Sequence, residues 1–284
     1  MWLSNSSIGR KVLMSVTGIS LILFMTFHGA MNVVALFSGE AYNVICEFLG
    51  ANWYAVAATM ALAALAVVHI VYAFILTLQN RKARGNNRYA VTSKPSKVEW
   101  ASQNMLVLGV IILLGLLLHL FNFWYNMMFA EIVEMETLHH PADGFAWIVE
   151  TFSNPVYVVL YLLWIAALWF HLTHGFWSAI QTMGWSGHIW FNRWKIIGIA
   201  YVTLICLMFV AVVVGFACGC APSLCEGETA AHCAGAAADC AGHCAGAAAD
   251  CAGHCAGASA DCASHCASAV ADTLNHCGGH CAGK

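Results

Sequence analysis

The stretch Gly18–Phe37, GISLILFMTFHGAMNVVALF, holds no charged side chain and a single histidine, His28, near its middle. Twenty such residues are long enough to cross the ~30 Å hydrocarbon core of a bilayer as a helix. An imidazole inside that core must find a partner, so His28 raises the question of function as well as of fold. The rest of the chain fits this reading. Of its 284 residues 61% are hydrophobic and 9% charged, against about 25% charged in soluble domains. The net charge of −3 adds little to this reading, and no nucleic-acid partner is expected.

Five apolar runs have spanning length, roughly 12–37, 54–78, 104–129, 155–182 and 196–217. The first is too long for a signal-peptide core, and no small-residue cleavage site follows it. The expected fold class is therefore all-α, with five transmembrane helices over residues 1–217 and a separate tail over 218–284.

Basic residues predict the orientation. Arg10 and Lys11 precede the first span. Arg81, Lys82, Arg84, Arg88, Lys94 and Lys97 lie between the second and third, and Arg193 and Lys195 between the fourth and fifth. The other two connections carry Glu40, Glu47, Glu131, Glu134, Glu136 and Asp143 and no Lys or Arg. The positive-inside rule then puts the N-terminus in the cytoplasm and the tail outside.

Histidines recur in four of the five spans: His28, His69, His119, and the pair His171 and His174. At ~1.5 Å per residue, His28 and His119 fall roughly 25–27 Å from the inner edge, and His69 and His171 roughly 17–18 Å. Two histidines at one depth on different helices suit bis-imidazole ligation of haem iron. Gly29, Ala30, Gly115 and Gly175 neighbour these histidines, and small residues open a slot for a flat macrocycle. Hydrogen-bonded packing and a proton relay are the rival readings. Relays commonly include intramembrane carboxylates, and these spans contain none.

The segments SSIGRKVLMSVTGISLILFMTFH, AVVHIVYAFILTLQNRKAR, LGVIILLGLLLHLFNFWY and NPVYVVLYLLWIAALWFHLTHGFWSAIQTMGW follow one another in the chain. In that order they resemble the single-chain, five-helix, dihaem cytochrome b anchor of succinate:quinone oxidoreductases (succinate dehydrogenases and fumarate reductases). The resemblance covers residues 5 to about 217. It implies a multi-pass protein of the bacterial inner membrane. Two haems b are implied, a distal one held by His28 and His119 and a proximal one by His69 and a fourth-span histidine. The family pattern puts that ligand four residues before one glycine and thirteen before another. His171 fits through Gly175 and Gly184, with His174 as the alternative.

The resemblance further implies an iron–sulfur subunit and a flavoprotein subunit on the cytoplasmic face, with menaquinone as the membrane substrate. The chain is then the non-flavin anchor of an enzyme complex and performs no dicarboxylate chemistry itself. Some family members carry a carboxylate two residues before the fourth-span ligand, on a transmembrane proton route. Trp169 stands there in this chain, so that route is not expected.

Ser6, Arg10, Lys11 and Arg81 are the expected partners of haem propionates, because hydroxyl, guanidinium and ammonium groups suit carboxylates. Asn32, Tyr42, Asn43 and Glu47 are quinone-site candidates near the outer ends of the first two spans. Two alternatives stand beside this function: a cytochrome b serving a hydrogenase or formate dehydrogenase, and a non-enzymatic membrane metal-binding protein. His139, His140 and His188 are expected to be solvated loop residues.

The tail is of another kind. HCAGAAADCAGHCAGAAADCAGHCAGASADCASHC, residues 232–266, repeats every eleven residues with cysteine at steps of seven and four. On a helix those steps keep the cysteines on one stripe. Haem c attachment needs C-x-x-C-H, and the order here is C-x-x-H-C. The remaining readings are a low-complexity extension, a site for a soft metal, or disulfide staples.

Overall fold

The computed structural model describes residues 6–50, 52–84, 100–187 and 189–225. The Cys/His repeat, His188 and the side chains of Arg84, Arg88, Lys94 and Lys97 lie outside the described residues. Among the described residues every regular element is helical. They are α1 (Ser7–Phe37), α2 (Gly39–Phe48), α3 (Trp53–Arg84), α4 (Trp100–His119), a π-helical stretch (Leu120–Phe129), α5 (Ala130–Ile132), α6 (Gly144–Ser153), α7 (Pro155–Thr182) and α8 (Phe191–Ala217). A 3₁₀ turn, Pro222–Cys225, follows.

Five helical segments are long and apolar enough to cross a membrane: Ile8–Phe37, Trp53–Lys82, Trp100–Ile132, Pro155–Thr182 and Phe191–Ala217. Each includes one of the five runs expected from sequence, with ends moved outward by up to five residues. Their surfaces remain apolar where they are exposed. Leu114, Leu163, Val67, Leu204 and Leu23 are each 59–62% exposed, as lipid-facing side chains of a multi-pass membrane protein are. A water-soluble monomer does not present so much apolar surface.

Local chemistry sets the ends. The Ser6 hydroxyl accepts from Gly9 N–H at 2.9 Å and caps α1. Asn154 Oδ1 accepts from Val156 N–H at 3.0 Å. Pro155 supplies the first residue of α7, where its missing N–H costs nothing. The end of α7 turns at Gly184, whose φ of +82° favours glycine, while Trp185 N–H reaches back to Ile180 C=O at 3.1 Å. In the π stretch, the Asn126 side-chain amide donates to the carbonyls of both Phe121 (3.1 Å) and Asn122 (3.0 Å). A side chain inserted in the carbonyl ladder is a recognised cause of local departure from α geometry.

The connections read as loops from sequence contain two further helices, α2 and α6. Ser38 caps α2 by accepting from Ala41 N–H, and Asp143 caps α6 by accepting from Ala146 N–H at 3.1 Å.

The described residues form two compact units. One draws on described residues within 6–29, 52–119 and 163–207, the other on those within 30–50, 120–162 and 208–225. In the first, Val202 and Ile205 are completely buried. Thr26 and Tyr201 share a 2.6 Å hydrogen bond, and Trp169 Nε1 donates to Thr203 at 2.9 Å. In the second, Ile148 and Ala35 are buried, and Phe145 meets Phe216 edge-on at 5.5 Å.

Candidate functional site: two histidine pairs

All four spanning histidines named first lie in the first unit. The helix positions deliver them in twos. His28 of α1 faces His119, the last residue of α4, with ring centroids 5.7 Å apart and planes at 82°. His69 of α3 faces His171 of α7, with centroids 6.5 Å apart and planes at 68°. His174 does not join either contact. One turn further along α7, it packs edge-on against Trp177 at 5.3 Å.

The spacing of such rings decides whether a metal ion fits between them. A metal bound by imidazole sits about 2 Å from the nitrogen, hence about 3 Å from the ring centroid. Two opposed ligands therefore have centroids about 6 Å apart, and the observed 5.7 and 6.5 Å bracket that value. Among the described residues no three His, Cys, Asp or Glu side chains converge as a metal-ligating group. A bare zinc ion needs three or four protein ligands. Two protein ligands suffice only where something else fills the other positions, and a macrocycle does so.

The surroundings of the His69–His171 pair are built by small and hydroxylic residues. A Cβ on Gly18 would stand 3.4 Å from His69 Cε1, and one on Gly109 would stand 4.0 Å from His171 Cε1. Thr17 Oγ1 lies 3.1 Å from His69 Nδ1. His171 Nδ1 is buried and has no hydrogen-bond partner among the described residues. Near the other pair, the Trp164 ring lies 5.7 Å from that of His119, tilted by 35°. Its Nε1 donates to Ile112 C=O at 3.1 Å.

This changes the reading of the glycines. Gly115, expected to open a slot for a macrocycle, instead admits the Trp164 indole, which occupies the space a Cβ would need. Gly175 does border open space, with nothing within 4 Å of its notional Cβ. Gly109 and Trp164 carry no signal in the sequence that marks them as site residues. The T-G dipeptide 17–18 was visible in the first-span motif, but its contact depends on helix rotation that apolar runs do not encode.

The other candidates separate by environment. Arg10 Nε is buried without a hydrogen-bond partner among the described residues, so its guanidinium has a donor to give to a carboxylate. Lys11 and Arg81 are exposed. Ser6 uses its oxygen as the α1 cap and keeps its hydroxyl proton for a further acceptor.

In the second unit, Tyr42 donates to Asn32 Oδ1 at 3.2 Å. Asn43 is engaged at both ends of its amide: Nδ2 donates to Asp143 at 2.8 Å, and Oδ1 accepts from Phe145 N–H at 2.9 Å. Those bonds fasten α2 to the start of α6. Glu47 is exposed. Burial pushes the thiol of Cys46, one turn from Tyr42, up to about 11. His140 is exposed, as expected of a loop residue, and accepts from Ala142 N–H at 3.2 Å. His139 is not simply solvated, because its ring packs edge-on against Trp147 at 5.1 Å.

No known protein family, characterised protein or solved structure matches the chain.

Proposed function

We propose that the chain is a dihaem membrane cytochrome b, and that it is the quinone-reactive anchor of a succinate:quinone oxidoreductase. The observation that carries the first part is the pair of cross-helix histidine contacts at 5.7 and 6.5 Å. His69 and His171 would hold one haem, and His28 and His119 the other. Arg10 would meet a propionate through its buried Nε, with Ser6, Lys11 and Arg81 as further partners. Bound haem supplies one-electron redox chemistry. The chain's residues orient the two groups and keep them in an apolar, water-poor surround.

The second part rests on the ordered resemblance of the four histidine-bearing segments and on the basic residues flanking the spans. On this reading the N-terminus is cytoplasmic. An iron–sulfur subunit and a flavoprotein dock on that face, and menaquinone exchanges electrons near Asn32, Tyr42, Asn43 and Glu47. Trp169 offers no proton-carrying carboxylate.

The test is direct. The purified chain should show a reduced-minus-oxidised haem b spectrum with two haems per chain. It should also copurify with a flavoprotein that reduces fumarate. A haem-free chain would sink the cytochrome reading. Copurification with a hydrogenase or formate dehydrogenase would keep the haems and replace the partner.

A further inference from the structure

The contact between Thr17 and His69 determines which nitrogen of that imidazole is available. A threonine hydroxyl has one proton to donate and lone pairs to accept with. The Thr17 oxygen stands 3.0 Å from Leu13 C=O and 3.1 Å from Met14 C=O on its own helix. Carbonyls only accept, so with the single hydroxyl proton directed at either of them the remaining neighbour, His69 Nδ1 at 3.1 Å, is the donor. Thr17 is only 2% exposed, which leaves water little access to compete for the bond.

We infer that Thr17 is a positioning residue for His69: its oxygen accepts the Nδ1–H, fixes the tautomer, and leaves Nε2 as the nitrogen with a lone pair for iron. The assignment rests on the haem reading of the site and goes beyond it. Were the bond reversed, with Thr17 donating to Nδ1, the ring proton would sit on Nε2 and His69 could not be a ligand.

Gly18 adds a steric half to the arrangement. Its missing Cβ lets the Cε1 edge of the ring lie against α1, 3.4 Å from where that Cβ would stand. The T-G dipeptide thus holds the ring by one hydrogen bond and one close approach at its Cε1 edge. His171, across the pair, has no such anchor, since its Nδ1 lacks a hydrogen-bond partner among the described residues. Thr17 therefore provides the pair's one hydrogen-bonded restraint among the described residues. Partners of this kind raise the basicity of a ligating imidazole as well as orienting it. A more basic ligand favours the oxidised iron.

The experiment compares full-length wild type, Thr17→Val and Thr17→Ser in detergent, by haem titration and by redox titration of both haems. Valine keeps the branched shape and removes the oxygen, whereas serine keeps the oxygen. Thr17→Val should weaken haem binding at one of the two sites by about ten- to a hundredfold. It should also move one midpoint potential upward and leave the other in place. Thr17→Ser should restore both properties. The unmoved second haem reports that the fold is intact.

Unchanged affinities and potentials in Thr17→Val would overturn the assignment while leaving the haem reading standing. So would equal losses in the valine and serine variants. A wild-type chain that takes up no haem would overturn the haem reading and this inference together.

Discussion

His171 and His174 lie three residues apart on α7, and only contact geometry separates them. The ring of His171 meets His69, whereas that of His174 meets Trp177 on its own helix. On the dihaem reading, His171→Ala should lose one haem of two and His174→Ala should retain both, as counted by the reduced haem spectrum per chain. The reverse result would reassign the ligand. Gly115 makes a second residue-scale expectation. A methyl group there collides with the Trp164 indole, and inserting a methyl into a packed site costs about 1–3 kcal/mol. Gly115→Ala should therefore lower thermal stability in detergent and disturb the haem held by His119, the ring beside Trp164. Trp164→Leu combined with Gly115→Ala should recover part of the loss, since the collision is removed. The identities of these histidines were legible in sequence, because an imidazole stands out in an oily run and depth along a helix follows from residue count. Thr17, Gly109 and Trp164 were not legible. Each matters through the direction it faces, and spans that are apolar on all sides carry no periodic mark of that direction.

Helices α2 and α6 are the elements least visible beforehand. They are ten residues each, too short to span a bilayer and too short to be stable alone. The long spans announce themselves by composition, but these two depend on Ser38 and Asp143 as caps and on contacts made only after folding. Asn43 shows the dependence, holding Asp143 and Phe145 N–H with one amide. Asn43→Ala should remove two hydrogen bonds, at about 1 kcal/mol each, seen as faster proteolysis of the segment around residues 38–50 and 143–153. Cys46 lies on the same helix, with its sulfur against Gly144 at the start of α6. Burial pushes its thiol up to about 11; hydrogen bonds from Tyr42 and the Gly144 backbone oppose this in part, and the nearby Asp143 carboxylate adds the smallest upward push. Only the thiolate reacts with alkylating agents. Peptide-mapped labelling of Cys46 by iodoacetamide should thus be slow at pH 8 and rise as pH approaches 11. Rapid labelling at pH 7 would contradict the enclosure. The π stretch was equally hidden, since Leu120–Phe129 reads as an uninterrupted apolar helix until the Asn126 amide is seen on two carbonyls.

At the scale of the whole chain, two chemistries are joined end to end. Residues 1–217 carry histidines in oil; residues 218–284 carry eleven-residue Cys/His repeats with glycine and alanine between them. The repeat starts beyond the last spanning helix, which ends at Ala217. The four histidines of the two pairs all precede that point. Removing residues 226–284 should therefore leave two haems per chain and unchanged midpoint potentials. The tail should have a separable property. Thiolate and imidazole are ligands for Zn²⁺ and Cu⁺, and binding needs several of them deprotonated together. Among the described residues no three such side chains converge, so metal uptake by the truncated chain should be small. Full-length and truncated proteins, both reduced and in detergent, would be titrated with Zn²⁺ and Cu⁺ and their uptake compared. Excess uptake by the full chain, falling as pH drops below the thiol range, would assign a metal site to the repeat. Equal uptake would remove metal binding from the readings of the tail, leaving a plain or disulfide-linked extension. Loss of haem on truncation would instead mean that the tail supports the membrane unit.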